Sequence, residues 1–255
     1  MKAIIAVARG GPRDEHRDRM WAYVKRRWGR LGVPIFEGIP TAELYDGGVD
    51  EPYNRSQALN NAVSDASAQR PDWDVVFAVD ADTVVPPAQA GFAAQLAVES
   101  HRAALAYREY VPLTREATAR LLSGSTAPPT LADVKDPPGV TRANVSGCIV
   151  VPRFLWDRIG GFDERFVGWG GEDVAFAAAC RVLCGSIERV DGRVFHLWHP
   201  VGATTAGARF AANKALEAEY LAATTVEAMA DLVDEARSAR TPPGGDGERV
   251  VPSAT

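Results

Sequence analysis

The sequence predicts an α/β domain built on a mainly parallel, doubly wound sheet flanked by helices. Three observations predict it. Compact apolar runs of strand length recur along the chain, and charged segments with helical apolar spacing separate them. One of the runs ends on Asp80-Ala81-Asp82, and carboxyl ends of strands are where such sheets carry their ligands.

The runs are taken in order. Lys2 to Ala8 (KAIIAVA) reads as a buried first strand stopped by Arg9-Gly10-Gly11-Pro12. From Asp14 to Arg30 the spacing of Met20, Trp21, Val24 and Trp28 predicts an amphipathic helix, and a second strand fits Val33 to Glu37. Asn54 is placed to cap a helix whose apolar face is Ala58, Leu59, Ala62, Val63 and Ala66. Asp74 to Val79 is the next strand, closed by the Asp-x-Asp sequence and then Pro86-Pro87. Residues 123–142, rich in Ser, Thr, Pro and Gly, predict a long flexible loop. Beyond it come a strand at Gly147 to Val151, a short helix at Pro152 to Ile159 ended by Gly160-Gly161, and a helix at Glu172 to Leu183. Ile187 to Val190 and Arg193 to His196 read as a hairpin turning near Asp191-Gly192. One long helix is expected over Arg209 to Ala239, and the tail from Thr241 reads as disordered.

Bulk properties set the class. With 255 residues, 46% hydrophobic and 24% charged, the chain suits one large soluble domain better than two small ones. The expected division is a main domain over 1–205, a helical extension packed on it over 206–240, and a tail over 241–255. A net charge of −5, without a long basic run, argues against a nucleic-acid binder. Three cysteines are too few for a disulfide scaffold, which points to a reducing compartment. The apolar run Ala3 to Ala8 is too short for a signal peptide or membrane anchor, so a cytoplasmic protein is expected. The Ala/Arg/Asp/Val bias is of the kind found in GC-rich bacterial or bacteriophage genomes.

Chemistry gathers at three places. In Asp80-Ala81-Asp82, two carboxylates two residues apart share a face of an ideal strand, and their hard oxygens suit Mg²⁺ or Mn²⁺. Such an ion bridges diphosphate oxygens and neutralises charge on a departing nucleotide diphosphate. On these three residues alone, a turn with capping carboxylates is an equal alternative. In Gly168-Trp169-Gly170-Gly171-Glu172-Asp173 the glycines permit close backbone approach and leave the indole free to stack on a sugar. Glu172 and Asp173 then open a helix, where the dipole favours carboxylates; an acidic helix start beside a core tryptophan is the plainer alternative. In His196-Leu197-Trp198-His199 two imidazoles can meet one ion, although either histidine taken singly reads better as a core residue. Arg9 and Arg55 are candidate diphosphate contacts, with surface salt bridges the alternative for each.

Taken in order, these pieces resemble the β-1,4-galactosyltransferases and the polypeptide N-acetylgalactosaminyltransferases. The resemblance runs through YNRSQALNNAV (Tyr53 to Val63), VVFAVDADTVVP (Val75 to Pro86), the Val145 to Phe176 stretch with GWGGED, and FHLWHP (Phe195 to Pro200). It implies a single GT-A type nucleotide-sugar transferase domain using Mn²⁺ or Mg²⁺, a nucleotide-sugar donor (a UDP-sugar by preference) and a glycan or protein acceptor. It further implies that Asp82 and His199 hold the metal, with His196 where the galactosyltransferases carry methionine. Arg9, Tyr53, Arg55, Asp80 and Ala81 fall where the family contacts nucleotide and phosphates. Trp169, Gly170 and Gly171 would close over the sugars, Glu172 would orient donor or acceptor, and Asp173 would deprotonate the acceptor hydroxyl. Because retaining relatives carry asparagine there, Asp173 implies inversion, with a retaining polypeptide-type enzyme the alternative. The chain departs from the galactosyltransferases in following Asp173 with Val174 and Ala175 rather than further acids.

Two other readings compete. VVFAVDADTVV also looks like the first motif of haloacid-dehalogenase-type phosphatases, with Asp80 as nucleophile and Asp82 as acid/base, but that leaves GWGGED and HLWHP unexplained. The other is a sugar-nucleotide-binding module that has lost turnover, against which stands the full set of acids.

Overall fold

The computed structural model describes residues 1–10, 15–41, 53–124, 130, 133–134, 141–200 and 207–240. The first strand, β1 (Ala3–Ala8), buries its four central residues. Helix α1 (Glu15–Trp28) follows and packs Met20, Trp21, Tyr23, Val24 and Trp28 inward. Strand β2 (Ile35–Gly38) then pairs parallel with β1. Helix α2 (Arg55–Gln69) opens where expected: the Asn54 side chain accepts the Gln57 amide, a cap typically worth ~1 kcal/mol. All five apolar positions of its expected face are buried.

Strand β3 (Val75–Val79) is buried throughout and lies on the other side of β1, again parallel. The chain therefore leaves β1 in one direction for β2 and returns in the other for β3. That reversal places a topological switch point at the carboxyl ends of β1 and β3, the position at which doubly wound sheets carry their ligands. After β4 (Thr83–Val84), helix α3 (Pro87–Ser100) starts with Pro87 in its first turn, where no amide partner is needed. Next come β5 (Ala104–Leu105), β6 (Glu109–Pro112) and α4 (Arg115–Leu122). Strand β7 (Cys148–Pro152) enters the sheet antiparallel to β3, and α5 (Arg153–Ile159) ends on Gly160 in a left-handed cap. The remaining elements are α6 (Glu172–Cys184), β8 (Glu188–Arg189), β9 (Arg193–His196), α7 (Ala208–Ala222) and α8 (Val226–Ser238).

The main sheet runs β2-β1-β3-β7-β5-β8 with β7 the one reversed strand, so the expected mainly parallel α/β architecture is borne out. A second sheet, β4-β9-β6, stands beside it. Among the described residues no helix is long and apolar enough to cross a membrane.

Two expectations are corrected. β8 and β9 do not form a hairpin: β8 pairs with β5 in the main sheet, and β9 lies between β4 and β6 in the second. The turn at Asp191-Gly192 crosses between sheets because the Gly192 carbonyl accepts the amides of Arg108 and Glu109, tying it to the start of β6 instead of folding it back. The long C-terminal helix is in fact α7 and α8, broken at Ala223-Thr224-Thr225 where the Thr225 hydroxyl caps α8 through the Ala228 amide. The proposed loop at 123–142 lies largely outside the described residues, and of its remainder Val134 and Thr141 bridge to Leu113 and Tyr110. The tail 241–255 lies wholly outside them.

Close packing of β2 on α2 depends on Gly38, where an added Cβ would sit 1.9 Å from the Ala58 carbonyl oxygen and 2.6 Å from the Ala62 nitrogen. Both obstacles are backbone, so neither can swing away. Gly38→Ala is expected to destabilise the protein by about 1–3 kcal/mol, the usual range for overpacking, read as a lower urea midpoint with an unchanged slope. An unchanged midpoint would show that α2 is free to shift away from β2.

Candidate active site

Two helix N-termini meet at the switch point. Arg55 is the first residue of α2, and Glu172 and Asp173 are the first two of α6. The guanidinium spans the gap. Its Nε and Nη2 donate to Asp80 Oδ1 at 3.0 and 2.5 Å, its Nη1 donates to Asp173 Oδ1 at 2.8 Å, and Glu172 Oε1 lies 3.7 Å from Nη1. Phe162 lies beneath the guanidinium, 5.5 Å from ring centre to carbon, and stacks in turn on Phe176. Asp80 is held from the other side by the reversed strand: the Gly147 amide donates to Oδ2 at 3.0 Å, while the Asp80 amide donates to the Gly147 carbonyl at 3.0 Å. Because β7 runs antiparallel to β3, its entry rather than its exit lies beside Asp80.

One guanidinium among three carboxylates leaves excess negative charge in a partly buried place. Burial raises the Asp173 pKa to about 7, and the carboxylates of Glu172 and Asp80 add to the rise against the pull of Arg55. Burial also raises Glu172. Arg55 is held charged by Asp173, Asp80 and Glu172, which outweigh the opposing effect of its own burial.

The second cluster depends on the small sheet. Asp82 immediately precedes β4, and Thr83 pairs in register with His196 at the end of β9. That register sets His196 Nε2 3.5 Å from Asp82 Oδ1 and His199 Nε2 3.3 Å from Oδ2. All three side chains offer a ligand atom, and those atoms lie within 4.8 Å of one another. Burial acts to raise the Asp82 pKa, but the two imidazoles prevail and hold it far below the ordinary carboxylate range. His199 Nδ1 donates to the Pro200 carbonyl at 2.8 Å, which orients the ring with Nε2 towards Asp82. Two imidazole nitrogens and one carboxylate fit Mn²⁺ better than Mg²⁺, since imidazole is a poor donor for the harder ion.

The glycine-rich loop forms another wall. Trp169 is 60% exposed, and its indole stacks on Phe210 of α7 with centroids 5.9 Å apart. Gly171 has φ +100°, and a Cβ there would lie 2.7 Å from the Phe166 ring, so glycine is required at this helix start. Gly170 likewise has positive φ, at +94°. Asn213 of α7 donates to the carbonyls of Val167 and Trp169 at 3.2 Å each. The Gly168 amide donates to the Tyr53 carbonyl at 2.9 Å, and the Tyr53 ring lies against Gly10 beyond β1, so Tyr53 joins this loop to the switch point.

Of the residues singled out from sequence, Arg55, Asp80, Glu172 and Asp173 converge on one cluster, and Asp82, His196 and His199 on the other, with Ala81 joining the two. Arg9 is engaged elsewhere. Its guanidinium pairs with Asp18 at 2.9 Å and Glu37 at 3.5 Å, on the α1 and β2 side. Sequence reasoning missed Tyr110, whose ring centre is 5.6 Å from that of His196, and Gly147, the amide donor to Asp80. It also missed Asn60, which exchanges two hydrogen bonds with the Phe162 backbone and so fixes the ring under Arg55. Only the Gly147 neighbourhood carried a local signal, a glycine opening an apolar run.

Residues 131–200 match a family model described as the N-terminal domain of galactosyltransferase. The matched stretch carries Glu172, Asp173 and both histidines. The match places a glycosyltransferase family domain in this chain over those residues. Similar solved structures include the catalytic domain of Drosophila β-1,4-galactosyltransferase 7 in complex with xylobiose, at 12% identity over 84% of this chain and 80% of that one, TM-score 0.42. Another is GalNAc-T7 with UDP, GalNAc and Mn²⁺, at 15% over 88% and 43%, TM-score 0.45. A third is glucosyl-3-phosphoglycerate synthase from Mycobacterium tuberculosis with Mn²⁺ and UDP-glucose, at 12% over 89% and 79%, TM-score 0.42. At such identities and scores the likeness transfers neither substrate nor mechanism to this glycosyltransferase. No curated protein matches the sequence.

The raised Asp173 pKa fixes the sign of a pH effect. Between its ordinary value of 3.8 and about 7 the folded protein holds this proton more tightly than the unfolded chain does, so stability falls as pH rises through that window. Asp173→Asn removes the loss. In protein free of metal and donor, the variant is expected to melt above wild type at pH 8, with the gap closing towards pH 4. A gap independent of pH would mean that Asp173 is not held in a charge-disfavouring place.

Proposed function

We propose that this glycosyltransferase moves a hexose or N-acetylhexosamine from a nucleotide diphosphate sugar, a UDP-sugar by preference, to an acceptor hydroxyl, with inversion and with a divalent cation. The observation that carries the proposal is the adjacency of two clusters with complementary tasks. Asp80 and Asp82 are two residues apart, and through them the Arg55–Asp173 pair stands next to the Asp82–His196–His199 set.

Asp173 is the general base. With a pKa of about 7 it is ionised in a large share of molecules at neutral pH and basic enough to take a proton. The acceptor oxygen attacks the anomeric carbon, the bond from that carbon to the diphosphate oxygen breaks, and the hydroxyl proton passes to Asp173 Oδ. Arg55 keeps the Asp173 carboxylate oriented, and Glu172 beside it directs the sugar or the acceptor. Asp82, His199 and His196 would hold Mn²⁺ (or Mg²⁺), which when bound neutralises the diphosphate leaving group. Tyr53, Ala81, Trp169, Gly170 and Gly171 line the donor and sugar side, with Arg9 reaching the nucleotide only by exchanging its present carboxylate partners. The acceptor class is a glycan or a protein. All three cysteines are free, which suits a reducing, cytoplasmic setting. The phosphatase reading loses ground because it gives no task to Asp173, Glu172 or His199, which stand against Arg55 and Asp82 beside this strand end.

The test is nucleotide diphosphate release from a panel of UDP-, GDP- and dTDP-sugars with Mn²⁺, with and without EDTA. Release from one donor is expected, abolished by EDTA and by Asp82→Ala. Asp173→Ala is expected to fold yet to transfer ~10²–10⁴-fold more slowly, the usual contribution of a general base. Transfer at near wild-type rate by Asp173→Ala would remove it as the base, and product of retained anomeric configuration would refute inversion.

A further inference from the structure

The loop that bears the two histidines has an unusual set of fastenings. Leu197, between them, donates its amide to the Asp82 carbonyl at 2.9 Å, and the Leu113 amide donates to the His196 carbonyl at 2.9 Å; these continue the strand pairing. At Trp198 the pairing has ended, yet both backbone groups are taken by side chains from two different helices. The Trp198 amide donates to Thr118 Oγ1 of α4 at 2.8 Å. The Trp198 carbonyl accepts from His16 Nε2 of α1 at 2.9 Å. Thr118 is fully buried. The indole of Trp198 is covered as well, with the Arg115 guanidinium 5.3 Å from its centre and the His16 ring against its edge at 6.0 Å.

We infer that Thr118 and His16 are positioning residues for the metal site: they fix the backbone at Trp198 and thereby the spacing of His199 from His196 and Asp82. This rests on the metal role proposed for Asp82, His196 and His199. The physical reason is that the strand pairing ends at Leu197, two residues short of His199. The backbone torsions from ψ of His196, through residues 197 and 198, to φ of His199 separate the imidazoles. Fastening the amide and the carbonyl of Trp198 to two rigid helices removes most of that freedom. Without it, His199 would have to be ordered by the ion itself, at the expense of affinity. Groups that orient metal ligands in this way typically change affinity by roughly 10–100-fold when removed.

The test is Mn²⁺ binding to the full chain without donor, followed by the loss of the free-ion paramagnetic resonance signal. Asp82→Ala serves as the control for the metal site itself. Thr118→Val is nearly isosteric and removes the acceptor of the Trp198 amide; its Mn²⁺ dissociation constant is expected to rise by roughly 10–100-fold, and Thr118→Ser to restore it. His16→Ala is expected to weaken binding, and His16→Gln, which keeps a donor, to recover part of it. Circular dichroism and melting curves of each variant separate a local effect from loss of the fold. If wild type binds Mn²⁺ and Asp82→Ala does not, while folded Thr118→Val and His16→Ala bind as wild type does, the positioning role is overturned and the metal site stands. If Asp82→Ala binds Mn²⁺ as well as wild type, the metal site itself fails, and the inference with it.

Discussion

The sharing of one guanidinium by three carboxylates is the constraint on which the site depends. Arg55 stands at a helix N-terminus, where the dipole disfavours a cation, and it stays there because Asp80, Glu172 and Asp173 surround it. The carboxylates in turn come from separate elements: one from the end of β3, two from the start of α6. Removing the guanidinium would leave three acids facing one another in a half-buried place. Burial raises the Asp173 pKa, and the shortage of positive charge leaves it raised, since a second arginine would drive it down. On the proposed reading of Asp173 as the base, a pKa near neutrality comes from burying the carboxylate and under-compensating its charge, at a cost in stability.

The main sheet and the small sheet divide the work. The main sheet sets the carboxylate cluster through its strand directions: β1 and β3 run parallel, so their carboxyl ends share an edge, and β7 reverses so that Gly147 meets Asp80 there. The small sheet sets the Asp82–His196 part of the Asp-His-His cluster through register, Thr83 opposite His196. A slip of one residue between β4 and β9 would turn His196 to the opposite face and dissolve the cluster. Asp80 and Asp82 belong to the two systems respectively, which is why an Asp-x-Asp element can serve both.

The sequence made some of this legible, and the reasons are local. The Asn54 cap, the apolar face of α2 and the left-handed Gly160 cap are each specified by residues within one or two turns of the feature, so they were readable. The convergence of Arg55 on Asp80 and Asp173 spans 118 residues of sequence and has no local signature; family resemblance supplied the residues but not the contact. The separation of β8 from β9 was misread for the same reason. Asp191-Gly192 is a good hairpin turn by composition, yet partners far along the chain, Leu105 for β8 and Tyr110 for β9, decide the pairing. The break between α7 and α8 was readable in principle, because Thr225 is a capping residue, but helix-forming neighbours on both sides concealed it.

The contrast between the two walls of the site argues for different mechanical roles. Around His196 and His199, strand bonds, a buried threonine and a histidine account for the backbone almost group by group. Around Trp169, three glycines with positive φ carry the chain, Gly168 has open space where a side chain would be, and the indole is mostly exposed. What restrains that wall is α7, through Asn213 and Phe210, outside the segment that matches the galactosyltransferase model. A diphosphate and its ion require fixed ligands, because misplacement of a charge is costly at short range. A sugar ring is neutral and its orientation is set by stacking and hydrogen bonds, which tolerate adjustment. On the proposed reading, the metal side of the site is built from paired strands and the sugar side from glycines, with α7 restraining the latter.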